Sequence, residues 1–330
     1  MRTPKTVLLL LLTIALIRFE DDALAAVTRI EVVSSGPYGE FASGPYTRWD
    51  LRVAGELAPA AEAIRDLDKA GRNARGLVEY ATRVTLIAPT NPARGNGTLH
   101  IDVPNRGRVI ASSLYNGPRR DLIALGSFDP GTGFLEDCGY AIAAVTWELG
   151  FGVELPSFPG ADGTPRFVEG TAFAIVRDVA DFLSNGAADA KGRPNPLAGA
   201  IDRTLALGYS QTGRFLKSFL LGGFNMVGDH RVFAGMHILG AASGHIVLGS
   251  VPAPGSGAGA IPTFADPERR GVNEEPLALG DVMDQVSADS RPKMVFVNTT
   301  TDYFSLRGSL GRTGGVGGAR QAHTGERSRV

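Results

Sequence analysis

A serine between two glycines is the feature of this sequence best suited to do chemistry. Gly208, Ser210 and Gly213 form the pattern G-x-S-x-x-G, where an apolar run gives way to helical spacing. A tight turn from strand to helix lifts a serine hydroxyl above a sheet, at the positive end of a helix dipole. The backbone N–H of Gln211 would then point at a developing oxyanion. The pattern predicts that Ser210 is a nucleophile, with a structural turn serine as the alternative.

Acyl transfer also needs a second hydrogen-bond donor for the oxyanion, and the loop after an earlier strand commonly supplies it. The stretch HIDVPNRGR, residues 100–108, ends a predicted strand with a proline and with a glycine that lets the backbone turn. We expect the N–H of Arg106 or Gly107 to be this donor. The same residues are equally good turn chemistry, so a purely structural turn is the alternative.

A carboxylate for such a site should follow a core strand that comes after the serine. Asp302 stands just beyond the β-rich run MVFVN and is our candidate, with an ordinary loop carboxylate as the alternative. Three other aspartates lie in a predicted insertion and are weaker competitors: Asp266, Asp281 and Asp284.

A serine hydroxyl needs a base to become a nucleophile, and the sequence has five histidines. His323 alone has the expected chain order, after the acid, but its neighbours offer little to hold an imidazole in place. We interpret His237, near the end of a core strand, and His245, just beyond it, as satisfied core and loop histidines. His100 lies in a predicted strand and His230 in a polar turn.

The elements that must position these residues alternate between strands and helices. Alternation and β-branched content predict strands over 28–35, 47–55, 78–89, 97–105, 140–147, 203–209, 231–241 and 293–300. Helical spacing is clearest over 167–185, after the serine, and over 276–289. This order indicates an α/β fold with a mostly parallel sheet and helices on both faces, preceded by a β-rich region over about 27–103.

The two ends of the chain differ from this core. Residues 1–25 combine a basic start, an apolar stretch and an A-x-A pattern. We expect a cleaved export signal and a secreted or periplasmic protein, with an uncleaved membrane tether as the alternative. The main domain should span 26–306, with an insertion over about 245–290 that is either a cap or a surface excursion. Residues 307–330 are rich in Gly and Arg, so we expect disorder.

Composition argues against several function classes. The formal net charge is -1, with 33 basic and 34 acidic residues, so no overall field favours nucleic acid. The single cysteine, Cys138, cannot form a disulfide within the chain, and we expect it to be a small buried hydrophobic residue, with a nucleophile as the alternative. The sequence contains neither a metal-ligand motif nor a phosphate-binding glycine loop, so we expect no cofactor and no metal.

Several stretches together resemble a family of bacterial exported α/β-hydrolase-domain proteins: GYSQTGRFL, DVPNRGR, GTGFLEDCGYAIAAVTWE, AFAIVRDVADFL and residues 63–89. The resemblance covers roughly residues 30–306 and implies an α/β-hydrolase sheet with Ser210 as nucleophile. Asp302 matches the acidic position of the family's T-T-[DE]-Y-[WF] stretch. Family members continue to a G-T-x-H segment with the catalytic histidine, which this sequence lacks. A shifted reading frame or premature end after residue 306 would account for the change in composition.

Two expectations about function follow. The first is a serine hydrolase that cleaves a small-molecule carboxylic ester through an acyl-enzyme, with Asp302 orienting a histidine, for which His323 is the same-chain candidate. Acyl transfer to an acceptor other than water is a variant of it. The second is a catalytically impaired α/β-hydrolase scaffold that binds a ligand or another protein, since losing a triad member lowers rates by orders of magnitude.

Overall fold

The computed structural model describes most of the chain between residues 27 and 313. The described ranges are 27–60, 62–110, 114–117, 123–124, 129–252, 276–305 and 307–313. The predicted export signal, Asp266 and His323 lie outside these residues.

The strands of the described residues are numbered in chain order. They are β1 (Val27–Phe41), β2 (Gly44–Leu57), β3 (Val78–Pro89), β4 (Thr98–Asp102), β5 (Arg108–Val109), β6 (Ile123–Ala124), β7 (Ala141–Val145), β8 (Ser157–Pro159), β9 (Pro165–Val168), β10 (Arg203–Tyr209), β11 (Met226–Val227), β12 (His230–Arg231), β13 (Gly235–Leu239), β14 (Ser250–Pro252) and β15 (Lys293–Val297). The α-helices are α1 (Phe134–Asp137), α2 (Thr171–Asn185), α3 (Gln211–Leu221), α4 (Leu279–Gln285), α5 (Thr300–Ser305) and α6 (Leu310–Thr313).

Eight strands form one sheet in the order β1-β2-β3-β7-β4-β10-β13-β15. The first three strands form an antiparallel meander, and β3 also pairs antiparallel with β7. From β7 to β15 every neighbouring pair is parallel. The predicted α/β class, with a mostly parallel sheet after a β-rich N-terminal region, is confirmed.

The main core lies where α2 and α3 pack against one face of the sheet. Each of these two predicted helices buries one face: Phe173, Val176, Ala180 and Leu183 on α2, and Phe215, Leu216, Phe219 and Leu220 on α3. The ring of Phe215 lies 4.7 Å from that of Phe173 and 4.7 Å from that of Trp147, centroid to centroid. Aromatic packing therefore fixes α3 against both α2 and the loop after β7.

A smaller apolar cluster lies on the opposite face, because alternate residues of a strand point to opposite sides. Ile142 of β7 and Leu207 of β10 meet Leu135 of α1 there, whereas Ala143 and Ala206 belong to the main core. The central strands are thus buried from both sides, which is why they read as continuous apolar runs.

The parallel strands place the predicted site residues along one edge of the sheet. In open α/β sheets, ligands bind outside the carboxyl ends of the strands. The residues that follow β4, β7, β10, β13 and β15 share that edge, including the 104–107 loop, Ser210 and Asp302.

The predicted insertion over 245–290 is described at its two ends. β14 pairs antiparallel with β9, and the N–H of Leu277 donates to the carbonyl of Ser243 at 2.9 Å. Both ends are therefore attached to the body of the domain; residues 253–275 lie outside the described residues.

The segment that follows α5 begins in contact with the domain. Residues 307–313, for which disorder was expected, include the short helix α6. A Cβ on Gly311 would lie 3.0 Å from the carbonyl carbon of Ala242, so this helix packs on the loop after β13. The remainder, 314–330, lies outside the described residues.

The expectation for Cys138 is wrong, because its side chain is exposed. Cys138 follows α1 in a turn where Gly139 has a φ of 79°, and the buried strand begins only at Ala141. No helix in the described part of the chain is long and apolar enough to cross a membrane.

Candidate active site

Ser210 occupies a strained position between β10 and α3. Its φ is 54° and its ψ is -109°, a backbone conformation that residues other than glycine rarely adopt. Its N–H donates to the carbonyl of Leu239 at 2.7 Å, and its own carbonyl accepts the N–H of Arg214 at 3.1 Å. The turn is therefore held from β13 on one side and from α3 on the other. Strain of this kind persists only where the surroundings enforce it.

The two glycines of the pattern allow close backbone approaches. A Cβ on Gly208 would lie 2.6 Å from the carbonyl carbon of Thr212, and one on Gly213 would lie 3.0 Å from the Cβ of Ala241. Both positions exclude a larger side chain without movement of the backbone. The spacing G-x-S-x-x-G thus reflects two contact points, one with the helix and one with the loop after β13.

Thr212 stands where the commoner G-x-S-x-G pattern has a glycine. Its hydroxyl accepts the N–H of Tyr209 at 2.9 Å and donates to the carbonyl of the same residue at 3.2 Å. Thr212 is fully buried. The threonine therefore ties the end of β10 to the first turn of α3.

The predicted oxyanion loop is a tight two-residue turn beside the serine. Asn105 and Arg108 exchange backbone hydrogen bonds of 3.0 Å each, and the turn between them contains Arg106 at φ 50° and Gly107 at φ 72°. The side-chain amide of Asn105 donates to the carbonyl of Tyr209 at 2.7 Å. The fold thus brings the 104–107 loop against the serine turn. Whether either N–H receives an oxyanion stays a prediction.

The loop after β7 supplies a residue that the sequence analysis missed. Glu148 is buried, and its Oε1 accepts the side-chain amide of Gln211 at 3.0 Å. The indole of the preceding residue, Trp147, donates to the carbonyl of Pro104 at 2.8 Å. The available signal was the run TWELG, which ends a buried strand with a carboxylate at the ligand-binding edge.

Asp302 lies at the same edge, in the first turn of α5. Its Oδ2 accepts the N–H of Thr299 at 2.7 Å and the Thr299 hydroxyl at 2.8 Å, while its own N–H donates to that hydroxyl at 3.2 Å. This reciprocal pattern is a capping box. A Cβ on Gly240 would lie 3.3 Å from Asp302 Oδ2, which places the carboxylate beside the loop after β13. Asp281 and Asp284, the competitors among the described residues, lie on α4.

The described histidines contact groups other than Ser210. His237 Nδ1 is paired with the hydroxyl of Tyr115. His230 lies 2.7 Å from Asp181 on the surface. Burial lowers the pKa of His100 to about 4, with a further contribution from the nearby His237. Within the described residues, no hydrogen bond joins a histidine to the serine or to the candidate acid.

Two further titratable residues, His245 and Lys217, lie close enough for the charge of the lysine to affect the histidine. Burial lowers the pKa of His245, and so does the positive charge of Lys217. Burial also lowers the pKa of Lys217 to about 7, with a smaller contribution from Arg214. The Lys217 ammonium donates to the carbonyls of Ala242 and Leu277 at 3.2 Å each. This lysine therefore ties α3 to the loop after β13 and to the far end of the insertion.

No cluster of three or more His, Cys, Asp or Glu side chains in the described ranges could hold a metal ion. The groups that the edge does present are a strained serine, a turn of backbone N–H groups and carboxylates. That set is suited to nucleophilic acyl transfer.

The sheet order and the strained serine between a parallel strand and a helix define an α/β-hydrolase fold. The profile of the family described as "Alpha/beta hydrolase domain" matches residues 143–316, more than half of the chain. The chain belongs to this family, which confirms the resemblance stated from its motifs. A comparison with curated proteins gives no match.

Solved structures with a related fold include three esterases. A glucuronoyl esterase from Solibacter usitatus is 13% identical at a TM-score of 0.39, with 88% of this chain and 76% of that chain covered. A glucuronoyl esterase from Teredinibacter turnerae is 13% identical at 0.37, with 85% and 63% covered. The rice cell wall degrading esterase LipA from Xanthomonas oryzae is 12% identical at 0.32, with 66% and 50% covered. Likenesses this distant assign no activity.

Proposed function

We propose that this protein is a serine hydrolase that cleaves a carboxylic ester through an acyl-enzyme intermediate. Ser210 attacks the ester carbonyl, and the N–H groups of Gln211 and of Arg106 or Gly107 stabilise the oxyanion. Asp302 orients a histidine that takes the serine proton and returns it to the leaving alcohol; His323 is the candidate in the chain order of the fold. Water then cleaves the acyl-enzyme, with acyl transfer to another acceptor as a variant.

The observation that carries this proposal is the backbone conformation of Ser210. An ordinary turn serine has no need of a φ of 54° with a ψ of -109°, nor of glycines that touch the helix and the next loop. Such strain is concentrated at functional sites. Family membership supports a hydrolase in general, and the strained serine supports this particular nucleophile.

A second candidate function is a scaffold that binds a ligand or protein without turnover. The observation that favours it is the position of the described histidines, none of which is bonded to Ser210 or Asp302. The capping box of Asp302 also gives that carboxylate a purely structural use.

A fluorophosphonate probe separates the two functions. The folded protein should be labelled within minutes, and Ser210→Ala should abolish the label. Ser218→Ala is the matched control, because this serine lies on the same helix and its hydroxyl is bonded to the carbonyl of Ile246 at 2.6 Å. The control should be labelled like the wild type. Absence of label in a folded wild type would favour the scaffold.

The role of His323 needs its own variant. His323→Ala should slow labelling by at least about 100-fold if this imidazole is the base, since each triad member contributes orders of magnitude. Unchanged labelling would remove His323 from the mechanism. Mass analysis of products formed with added alcohol distinguishes hydrolysis from acyl transfer.

We also propose that residues 1–25 direct export and are removed, which gives a secreted or periplasmic protein. The basic start, apolar stretch and A-x-A pattern support this. N-terminal sequencing of the protein recovered outside the cytoplasm should begin at Ala26. An intact N-terminus in a membrane fraction would indicate a tether instead.

A further inference from the structure

The loop after β7, residues 146–151, touches both predicted oxyanion donors. Trp147 donates its indole N–H to the carbonyl of Pro104 at 2.8 Å. The ring of Phe151 lies against Gly107, where a Cβ would be 2.8 Å from the ring atom Cε1. Between them in sequence, Glu148 accepts the side-chain amide of Gln211. A single loop thus braces the 104–107 turn and the start of α3.

The contact between Glu148 and Gln211 is sheltered from water. Each residue is 5% exposed, and the distance between Gln211 Nε2 and Glu148 Oε1 is 3.0 Å. A buried carboxylate is costly unless it is hydrogen-bonded, and hydrogen bonds to charged groups are the stronger ones. The N-terminus of α3 offers additional stabilisation of a negative charge through its dipole.

Among the described residues, the Gln211 side chain makes one hydrogen bond, the one to Glu148. The Gln211 Oε1 is buried and has no hydrogen-bond partner among the described residues. The carboxylate of Glu148 is then the group that sets the direction of the Gln211 side chain. The backbone N–H of the same residue is the one that follows Ser210, at the first position of α3.

We propose that Glu148 is a positioning residue of this site. It anchors Gln211 to the loop after β7 and so holds the Gln211 backbone N–H toward the place where the oxyanion develops. The expected effect on catalytic rate rests on the proposed function. The expected effect on the order of the Gln211 backbone rests only on the hydrogen bond between Glu148 and Gln211.

The kinetic test uses hydrolysis of 4-nitrophenyl acetate by the full chain. Glu148→Ala should lower kcat about 10- to 100-fold with KM changed less than about twofold, because misplacing one donor acts mainly in the transition state. Glu148→Gln keeps the shape and a weaker acceptor, so its loss should be smaller. A loss carried entirely by KM would overturn the proposal.

Exchange of the pair asks whether the effect passes through Gln211. Gln211→Glu alone sets two carboxylates against each other and should lower kcat. The double variant Glu148→Gln with Gln211→Glu restores an amide-to-carboxylate hydrogen bond and should recover most of kcat. Failure of this rescue in a folded double variant contradicts the proposal.

Glu136→Gln is the matched control for removing a buried carboxylate. Glu136 is fully buried and accepts the amide of Asn116 at 2.7 Å, and no hydrogen bond of the described residues joins it to Ser210 or Gln211. Its kcat should stay within about twofold of the wild type even if its melting temperature falls. A loss of kcat equal to that of Glu148→Ala would show a general effect of destabilisation and overturn the inference.

A readout that needs no turnover separates this inference from the proposed function. The NMR order parameter of the Gln211 N–H should be about 0.85 in the wild type and fall to about 0.6 in Glu148→Ala. The N–H of Leu220, at the far end of α3, is the internal reference. If Ser210 never reacts with the probe, the proposed function fails, and this measurement alone decides the positioning. An unchanged order parameter at Gln211 overturns it.

Discussion

The serine side and the acid side of the candidate site are built differently. On the serine side, Thr212 and Gln211 are buried and hydrogen-bonded to strand β10 and to the loop after β7. On the acid side, Asp302 is held by Thr299, which is exposed, and Phe304 on the same helix is 78% exposed. The serine is therefore positioned by close packing from several elements, and the acid by one capping box.

The same contrast extends to the strands that carry the two sides. β10 lies between β4 and β13 in the interior of the sheet, whereas β15 is the last strand of the described sheet. Val295 and Val297 of β15 are 56% and 43% exposed. The position of a residue after a central strand is fixed by contacts from strands on both sides. A residue after an edge strand has a neighbouring strand on one side only. Substitutions should therefore disturb stability far more on the serine side.

The largest effect should come from Gly208→Val. The new Cβ would meet backbone atoms of Thr212 and Gly213, at 2.6 Å and 2.8 Å, which cannot move without opening the turn. We expect a loss of about 3 kcal/mol or more in the free energy of unfolding, measured by urea denaturation. Gly71→Ala, with no atom within 4 Å, is the control and should be nearly neutral. A tolerated valine would show that the serine turn is less constrained than its contacts imply.

Thr212→Val should have the next largest effect. The variant keeps the shape of this fully buried side chain but leaves the N–H of the half-buried Tyr209 without its 2.9 Å partner. We expect a loss of about 2 kcal/mol in the free energy of unfolding. Thr300→Val, at an exposed position of α5, should change it by less than about 0.5 kcal/mol. Equal losses at the two threonines would remove the contrast between the two sides.

Lys217→Met tests the buried lysine that ties α3 to the loop after β13. Burial lowers its pKa to about 7 from 10.5, so between these pH values the unfolded chain holds a proton that the folded chain does not. The free energy of unfolding of the wild type should therefore rise with pH in this window, by up to about 1.4 kcal/mol per unit. Below about pH 7 Lys217 is charged in both states, and the cost of burying its ammonium reaches its full value.

This contribution of Lys217 to the pH dependence of the free energy of unfolding should be absent from Lys217→Met. Denaturation of Lys217→Met at pH 6 to 10 should show a flatter profile than the wild type, and the exposed Lys191→Met should follow the wild type. Parallel profiles for Lys217→Met and the wild type would mean that this ammonium is not desolvated.

Asp302→Ala should have the smallest effect on stability. Asp302→Ala removes the two hydrogen bonds that its carboxylate accepts, and Thr299→Ala removes the two that its hydroxyl makes, so each should cost about 1 kcal/mol. The two variants should therefore melt alike. If Asp302 is also the triad acid, only Asp302→Ala should slow probe labelling strongly. Equal labelling of the two variants would leave Asp302 with its capping role alone.

Local patterns were enough to predict the fold and the serine turn. Apolar runs identified the strands that became β7 and β10, because a strand buried on both faces has to be apolar throughout. The glycine spacing identified the turn at Ser210, because only glycine fits where the backbone approaches the helix so closely. Both signals lie within a few neighbouring residues.

Contacts between distant residues required the tertiary structure. Glu148 meets Gln211 across 63 positions and Asn105 meets Tyr209 across 104. No local pattern encodes these pairs, because they arise only when β4, β7 and β10 take neighbouring places in the sheet. The exposure of Cys138 also became visible only in the structure, which ends α1 at Asp137 and begins β7 at Ala141. The sequence by itself determined the class of fold and the strained serine, and strand order decided which side chains surround it.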